Sequence, residues 1–186
     1  MQKIILASRS PRRKQLLQWA EIPFEVIIKN TDESYPQHLT AHDVAIYIAK
    51  NKALAIKLSQ GDLVPILSAD TIVVLNTEII GKPVDRDDAI NILSKLSGKK
   101  HLVITGVCIL FNNKTIVFTD TTEVEFHELS MEQINFYVDK YSPYDKAGAY
   151  AIQEWIGVTG IRSINGDFYN VMGLPVSRVV KELSKL

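Results

Sequence analysis

The sequence predicts an α/β fold, a mixed β-sheet flanked by helices, and three observations carry that expectation. Short β-rich runs alternate with amphipathic segments along the whole chain, the pattern that builds helices onto a sheet. Two β-branched runs, 102–111 and 115–126, meet at Asn112-Asn113 and read as a hairpin, so the sheet should not be all parallel. The composition, 46% hydrophobic and 23% charged over 186 residues, is that of a globular chain with ample material for a core. One domain over residues 1–186, with room for two lobes, is the expected organisation.

The elements follow in order. Lys3–Ala7 reads as a buried strand, and Ser10 caps a helix whose first position is Pro11, where the missing N–H costs nothing. Phe24–Ile28 reads as a second strand. A longer helix runs from its cap Thr40 to about Ser59 and is ended by Gly61. Pro65–Leu75 is a long strand that Asn76-Thr77 turns into "EIIGKP". Asp85 caps a helix through Leu96, stopped at Gly98, and Ser130 with Gln133 makes a capping box for a helix to about Lys140. Ile161–Ile164 is a short strand and Pro175–Leu183 a final amphipathic helix. Tyr141–Gln153 is the longest stretch that fits no regular element, which makes it a candidate functional loop.

Charge and composition exclude several classes. Lys plus Arg equals Asp plus Glu at 21 each, so no overall basic field argues for nucleic-acid binding. No apolar run reaches the roughly 20 residues a bilayer requires. "KIILA" is followed by arginines instead of a cleavage site, so neither membrane nor export is expected. The single cysteine, Cys108, lies in "VCILF" and reads as a reduced core residue, which fits a cytoplasmic setting.

The informative residues are charges on apolar faces. In "ILASRSPRRKQLL", Leu16, Leu17 and Ala20 define the buried stripe, and Arg13 shares it at helical spacing, while Arg12 lies about 100° round toward the rim. Arg13 either snorkels to solvent or serves an anion. Ser8, Ser10 and the free N–H groups of the first turn converge there, which favours a phosphate. Lys52 repeats the pattern on the stripe of Ala45, Ile48, Ala49 and Ile56, and its partner must be a structural carboxylate or a ligand anion. Asp70 interrupts "PILSADTIVVL" on the face of Ser68, Ile72 and Val74, leaving Thr71 on the other. A carboxylate in such a strand is hydrogen-bonded, raised in pKa, or holding a cation. Lys82 in "IIGKP", where Gly81 allows close backbone approach, reads by itself as an exposed turn lysine, and Glu33 in "NTDESY" carries no signal unaided. In "SPYDKAGAYAIQE", small residues around Asp145, Lys146 and Gln153 suit either a backbone passing close to a ligand or a surface loop. His38 and His42 are four apart, but Thr40 as cap leaves His38 outside the helix, and no histidine is assigned a role.

These motifs form an ordered set. "LASRSPRRKQLL", "DE" at 32–33, "KA" at 52–53, "SADTIVV", "GKP", "TGV", "YDKAGAYAIQ" and "GDFYNVMGLP" resemble the Maf family of nucleoside triphosphate pyrophosphatases over about residues 3–180. The resemblance implies an elongated mixed α/β fold with a central cleft, related to the inosine triphosphatase group. It implies hydrolysis of a nucleoside triphosphate to monophosphate and pyrophosphate with a divalent cation, Mg²⁺ or Mn²⁺. Carried over by position, Asp70 is the general base or mainly a metal ligand, and Glu33 joins it at the metal. Ser8, Ser10, Arg13, Lys52 and Lys82 surround the triphosphate. Arg12, Thr71 and Gln153 match the branch resembling dTTP/UTP pyrophosphatases, whereas the 7-methyl-GTP branch tends to carry Trp, Gln and Glu there. Ala151 departs from the more usual "AYGIQ" by one methyl group. The resemblance also implies a homodimer and leaves open a nucleotide-binding regulator of septum formation with little turnover.

Overall fold

Every helix expected from a side-chain cap forms where its cap stands. The computed structural model describes residues 2–61 and 63–186. Ser10 caps α1 (Pro11–Trp19), Thr40 caps α2 (Ala41–Gln60), Asp85 caps α3 (Arg86–Leu96), and Ser130 with Gln133 forms the full capping box of α4 (Met131–Tyr141). Each cap oxygen accepts a backbone N–H of the first turn that the helix itself cannot satisfy. The strands are β1 (Ile4–Leu6), β2 (Phe24–Val26), β3 (Ile66–Leu75), β4 (Glu78–Ile80), β5 (Lys100–Phe111), β6 (Lys114–Phe126) and β7 (Ile161–Asn165). β2 ends two residues short of the expected Ile28. Asn112 and Asn113 both take positive φ, the twist that a two-residue hairpin turn needs.

Three further helices complete the chain: α5 (Trp155–Gly160), α6 (Phe168–Met172) and α7 (Val176–Leu183). α5 and α6 were not expected from the sequence. α5 is only six residues long, has no side-chain cap, and contains two glycines, so local propensity opposes it. α6 is five residues long and starts where the Asp167 carboxylate accepts the Tyr169 N–H. The expected irregular loop 141–153 also contains a short 3₁₀ turn at Ala147–Ala149.

The seven strands form one sheet in the order β2-β1-β3-β5-β6-β7, with β4 paired to β3. β1 is parallel to both β2 and β3, while β3–β4 and β6–β7 are antiparallel, so the sheet is mixed as expected. The chain divides into two units. The first holds the chain up to Thr71, Thr105–Asp120 and Gly173–Leu186, and the second holds Ile72–Ile104 and Thr121–Met172.

In the first unit, α2 packs on the sheet through a core of Ile5, Ala49, Ala53, Ile56, Ile66, Cys108 and Leu110. The approach is close because Gly106 has no side chain. A Cβ there would stand 2.3 Å from the Ala45 carbonyl carbon. Burial pushes the Cys108 thiol up to about 11, so it stays protonated and inert. In the second unit, Arg86 at the start of α3 reaches Asp139 and Asn135 of α4. His101, Phe126 and Tyr150 form a buried aromatic cluster there, with the His101 Nε2 and Tyr150 hydroxyl 2.7 Å apart. Among the described residues, no helix is long and apolar enough to cross a membrane.

Candidate functional site

The two faces of β3 present two different groups, and the sequence spacing explains both. On one face, the Ser68 hydroxyl donates to the Ala49 carbonyl of α2 at 2.6 Å. Two residues on along the strand is Asp70, and three residues on along the helix is Lys52. Both steps keep their face, so the next contact is ionic: Lys52 Nζ lies 2.7 Å from Asp70 Oδ1. The same ammonium lies 2.8 Å from Glu33 Oε1. The lysine is therefore partnered by carboxylates, and it joins the two acidic residues that spacing alone does not connect and the family resemblance pairs.

Glu33 is held by its own segment. The neighbouring Asp32 accepts the Ser34 N–H at 2.8 Å and the Ser34 hydroxyl at 2.6 Å, a turn built from side chain to backbone. These bonds lower the Asp32 pKa below its ordinary value. Arg9 donates to the Asn30 side-chain carbonyl, tying the loop after β1 to the segment that carries Glu33.

The other face of β3 receives Arg13. Its Nε donates to the Gly173 carbonyl at 2.7 Å, its Nη1 to Ser8 Oγ at 3.1 Å, and its Nη2 to Thr71 Oγ1 at 3.0 Å. Thr71 in turn shares a hydrogen bond with Thr105 at 2.9 Å. Arg13 is buried, as its position on the stripe predicts, and does not snorkel. Burial lowers its pKa to about 10; Arg12 pushes the same way, while Asp70 and Glu33 oppose. The guanidinium stays charged at neutral pH, and the remaining N–H groups of the fork are donors for an anion. Ser8 Oγ accepts from Arg13 and from the Ser10 N–H, which leaves its own proton to donate. Ser10 is turned back into the helix, where its oxygen accepts the Arg13 N–H. Arg12 is half-buried at the rim of the same helix.

Ser8, Ser10, Arg12, Arg13, Glu33, Lys52, Asp70 and Thr71 thus belong to the first unit. Lys82 and Gln153 belong to the second, and both are exposed. Lys82 follows Gly81, whose carbonyl accepts the Gly148 N–H at 3.1 Å. The segment carrying Asp145, Lys146 and Gln153 is not the surface loop that its composition allowed. Lys146 is buried, paired with Asp145 at 3.0 Å and Glu154 at 3.5 Å. Residues 148–152 are buried as well.

Among the described residues no group of three or more His, Cys, Asp and Glu side chains is placed to hold a metal ion, and Glu33 and Asp70 offer two of the donors a divalent cation would need. Two carboxylate oxygens from separate elements converge on one positively charged atom, and hard oxygen donors suit Mg²⁺ or Mn²⁺. His38 and His42 do not add to it. His38 precedes α2 and His42 is exposed on its first turn.

Sequence reasoning missed the parts that make no pattern. The Gly173 carbonyl is a backbone group, and Thr105 is one threonine among many in β-rich runs. The signal within reach was the "GLP" motif at 173–175, whose glycine sits at φ +115 beside the Arg13 fork.

A sequence model described as Maf-like protein matches residues 3–186. A dTTP/UTP pyrophosphatase of Parabacteroides distasonis is 50% identical over 182 residues, 97% of this chain and 94% of its own. A dTTP/UTP pyrophosphatase of Cytophaga hutchinsonii is 50% identical over 183 residues, 98% of this chain and 84% of its own. Among solved structures, a HAM1 protein from Coxiella burnetii matches with a TM-score of 0.54 at 14% identity, covering 100% of both chains. At that identity the likeness speaks for the fold.

Proposed function

The chain belongs to the Maf family, and from that premise we propose that it hydrolyses dTTP and UTP to the nucleoside monophosphate and pyrophosphate. The observation that carries the reading is the Lys52 bridge between Glu33 and Asp70, set in the same unit as the buried Arg13 fork. A triphosphate brings several negative charges, and this corner brings donors and cations on rigid elements to meet them.

In this reading Asp70 takes a proton from the attacking water on its carboxylate. The water oxygen bonds to the α-phosphorus, the bond to the bridging oxygen breaks, and pyrophosphate leaves with that electron pair. Glu33 and Asp70 would hold the divalent cation, which when bound supplies Lewis-acid stabilisation of the developing phosphoryl charge. Lys52 then has phosphate oxygens as its alternative partners. Arg13, Ser8 and Lys82 bind phosphate, and Ser10 acts through the helix N-terminus that it caps. Arg12, Thr71 and Gln153 choose the base, with Thr71 acting through its bond to Arg13. The proposal includes a cytoplasmic setting, which the lone buried cysteine supports, and a homodimer, which the family pattern supports.

The test offers purified protein dTTP, UTP, CTP, ATP, GTP and 7-methyl-GTP with Mg²⁺ or Mn²⁺ and measures pyrophosphate. Fastest release from dTTP and UTP is expected. Release chiefly from 7-methyl-GTP overturns the base assignment, and tight binding with no release from any of them makes the protein a nucleotide-binding regulator.

A further inference from the structure

Gln153 is the first exposed side chain after five consecutive buried residues, 148–152, on a stretch with little regular structure. An amide that distinguishes one base edge from another must be held in one orientation, because a misplacement of about 1 Å already costs most of such a contact. The backbone here has few ladder bonds to supply that rigidity, so it must come from side chains.

It comes from α4. Tyr137 is fully buried, and its hydroxyl accepts the Ala151 N–H at 3.2 Å and donates to the Glu154 carboxylate. Ala151 stands two residues before Gln153 and Glu154 one residue after, so one hydroxyl grips both sides of it. Glu154 Oε1 also lies 3.5 Å from Lys146 Nζ, and the Lys146 side chain is only 8% exposed. A buried ammonium needs such partners, and here they draw the beginning and end of the segment together. The Gly148 N–H adds a bond to the Gly81 carbonyl, next to Lys82. Gly148 itself takes φ +71, and a Cβ on it would stand 2.9 Å from the Val73 side chain. Ala151 fits this frame, since it is buried and its N–H is already used.

We propose that Tyr137 and Glu154 are positioning residues that fix Gln153 and so set the preference for the base. The inference rests on the reading of Gln153 as the residue that contacts the base. It is tested by kcat/KM for dTTP and CTP in the parent and in Gln153→Ala, Tyr137→Phe, Glu154→Ala and Glu154→Gln, with thermal unfolding of each. Tyr137→Phe keeps the ring and Glu154→Gln keeps an acceptor for the hydroxyl, so both preserve the packing.

Tyr137→Phe and Glu154→Ala are expected to cut the dTTP:CTP ratio about tenfold, the worth of one misplaced hydrogen bond. The change should fall mainly in the KM for dTTP. Glu154→Gln should stay within about twofold of the parent. A purely structural role would lower the unfolding temperature and leave the ratio where it was. If Gln153→Ala lowers the ratio and neither Tyr137→Phe nor Glu154→Ala does, the positioning role is overturned. If Gln153→Ala itself leaves the ratio unchanged, the base reading falls and takes this inference with it.

Discussion

Lys52 and Lys146 each sit between two carboxylates, yet the two arrangements differ in where the partners come from and what else those partners do. Lys52 on α2 meets Glu33 from an irregular loop and Asp70 from a strand, with the Glu33 side chain 50% exposed. Lys146 meets its immediate neighbour Asp145 and nearby Glu154, and Glu154 is also bound to a buried tyrosine. At Lys52 the partners come from separate elements and Glu33 is half exposed, whereas at Lys146 the exposed Asp145 is accompanied by Glu154, which the Tyr137 hydroxyl holds in place. On the proposed reading, similar ion pairs therefore serve opposite ends, one a reactive centre and the other the rigidity of a segment.

The sharpest way to break the comparison is at the reactive partner. Asp70→Asn keeps the side-chain volume but removes the charge and the base. Its kcat should fall about a thousandfold or more with the folded circular dichroism spectrum retained. Near-parental turnover would make the Lys52 centre as structural as the Lys146 one. A second test acts on the clamp. Lys146→Met leaves two carboxylates without their cation and should destabilise by about 2 kcal/mol in denaturant unfolding. Lys52→Met should cost less stability and far more activity.

Acidity tests the anchoring of the same segment. Burial lowers the His101 pKa from 6.5 to about 4, so the folded state keeps this ring neutral beside Tyr150. The unfolded chain takes up the proton near pH 6.5 and the folded one only near pH 4. Its stabilising contribution is thus complete above the first value and is lost as pH falls toward the second. Between pH 7 and pH 5 this amounts to about 2 kcal/mol, and His101→Phe should flatten that part of the profile. The smallest effect is expected in metal affinity. In Lys52→Met the Glu33 and Asp70 oxygens lose their ammonium, so Mn²⁺ binding without nucleotide, followed by electron paramagnetic resonance, should tighten about tenfold. Weaker Mn²⁺ binding in that variant would contradict the exchange of partners at Lys52.

How much was legible in the sequence follows from how local each cause is. Caps, periodicity and turn residues act within a few positions, and they placed α1 to α4, the hairpin and the mixed sheet. The inward charge of Arg13 and Lys52 was legible for the same reason, since helical spacing alone puts them on the apolar stripe. Asp70 was legible as an anomaly in a β-run. Glu33 was not, because a glutamate in a polar loop looks like any solvated one until the fold brings Lys52 to it. The resemblance to the Maf family named it, but spacing did not. Tyr137 and Glu154 were hidden differently: a tyrosine on an amphipathic helix reads as core, and its hydroxyl acquires a task only when residues 151–154 arrive. α5 and α6 were missed because their own residues disfavour helix and tertiary packing overrides them.

The central claim is that the Lys52–Glu33–Asp70 centre directs water to the α-phosphorus. Following dTTP turnover in H₂¹⁸O with Mg²⁺ by ³¹P nuclear magnetic resonance, in the parent and in Asp70→Asn, tests it most directly. The account predicts dTMP and pyrophosphate in equal amounts with the ¹⁸O carried by dTMP, and loss of this turnover in Asp70→Asn. Label in pyrophosphate would place the attack at the β-phosphorus, and dTDP with orthophosphate would place it at the terminal anhydride; either would contradict it.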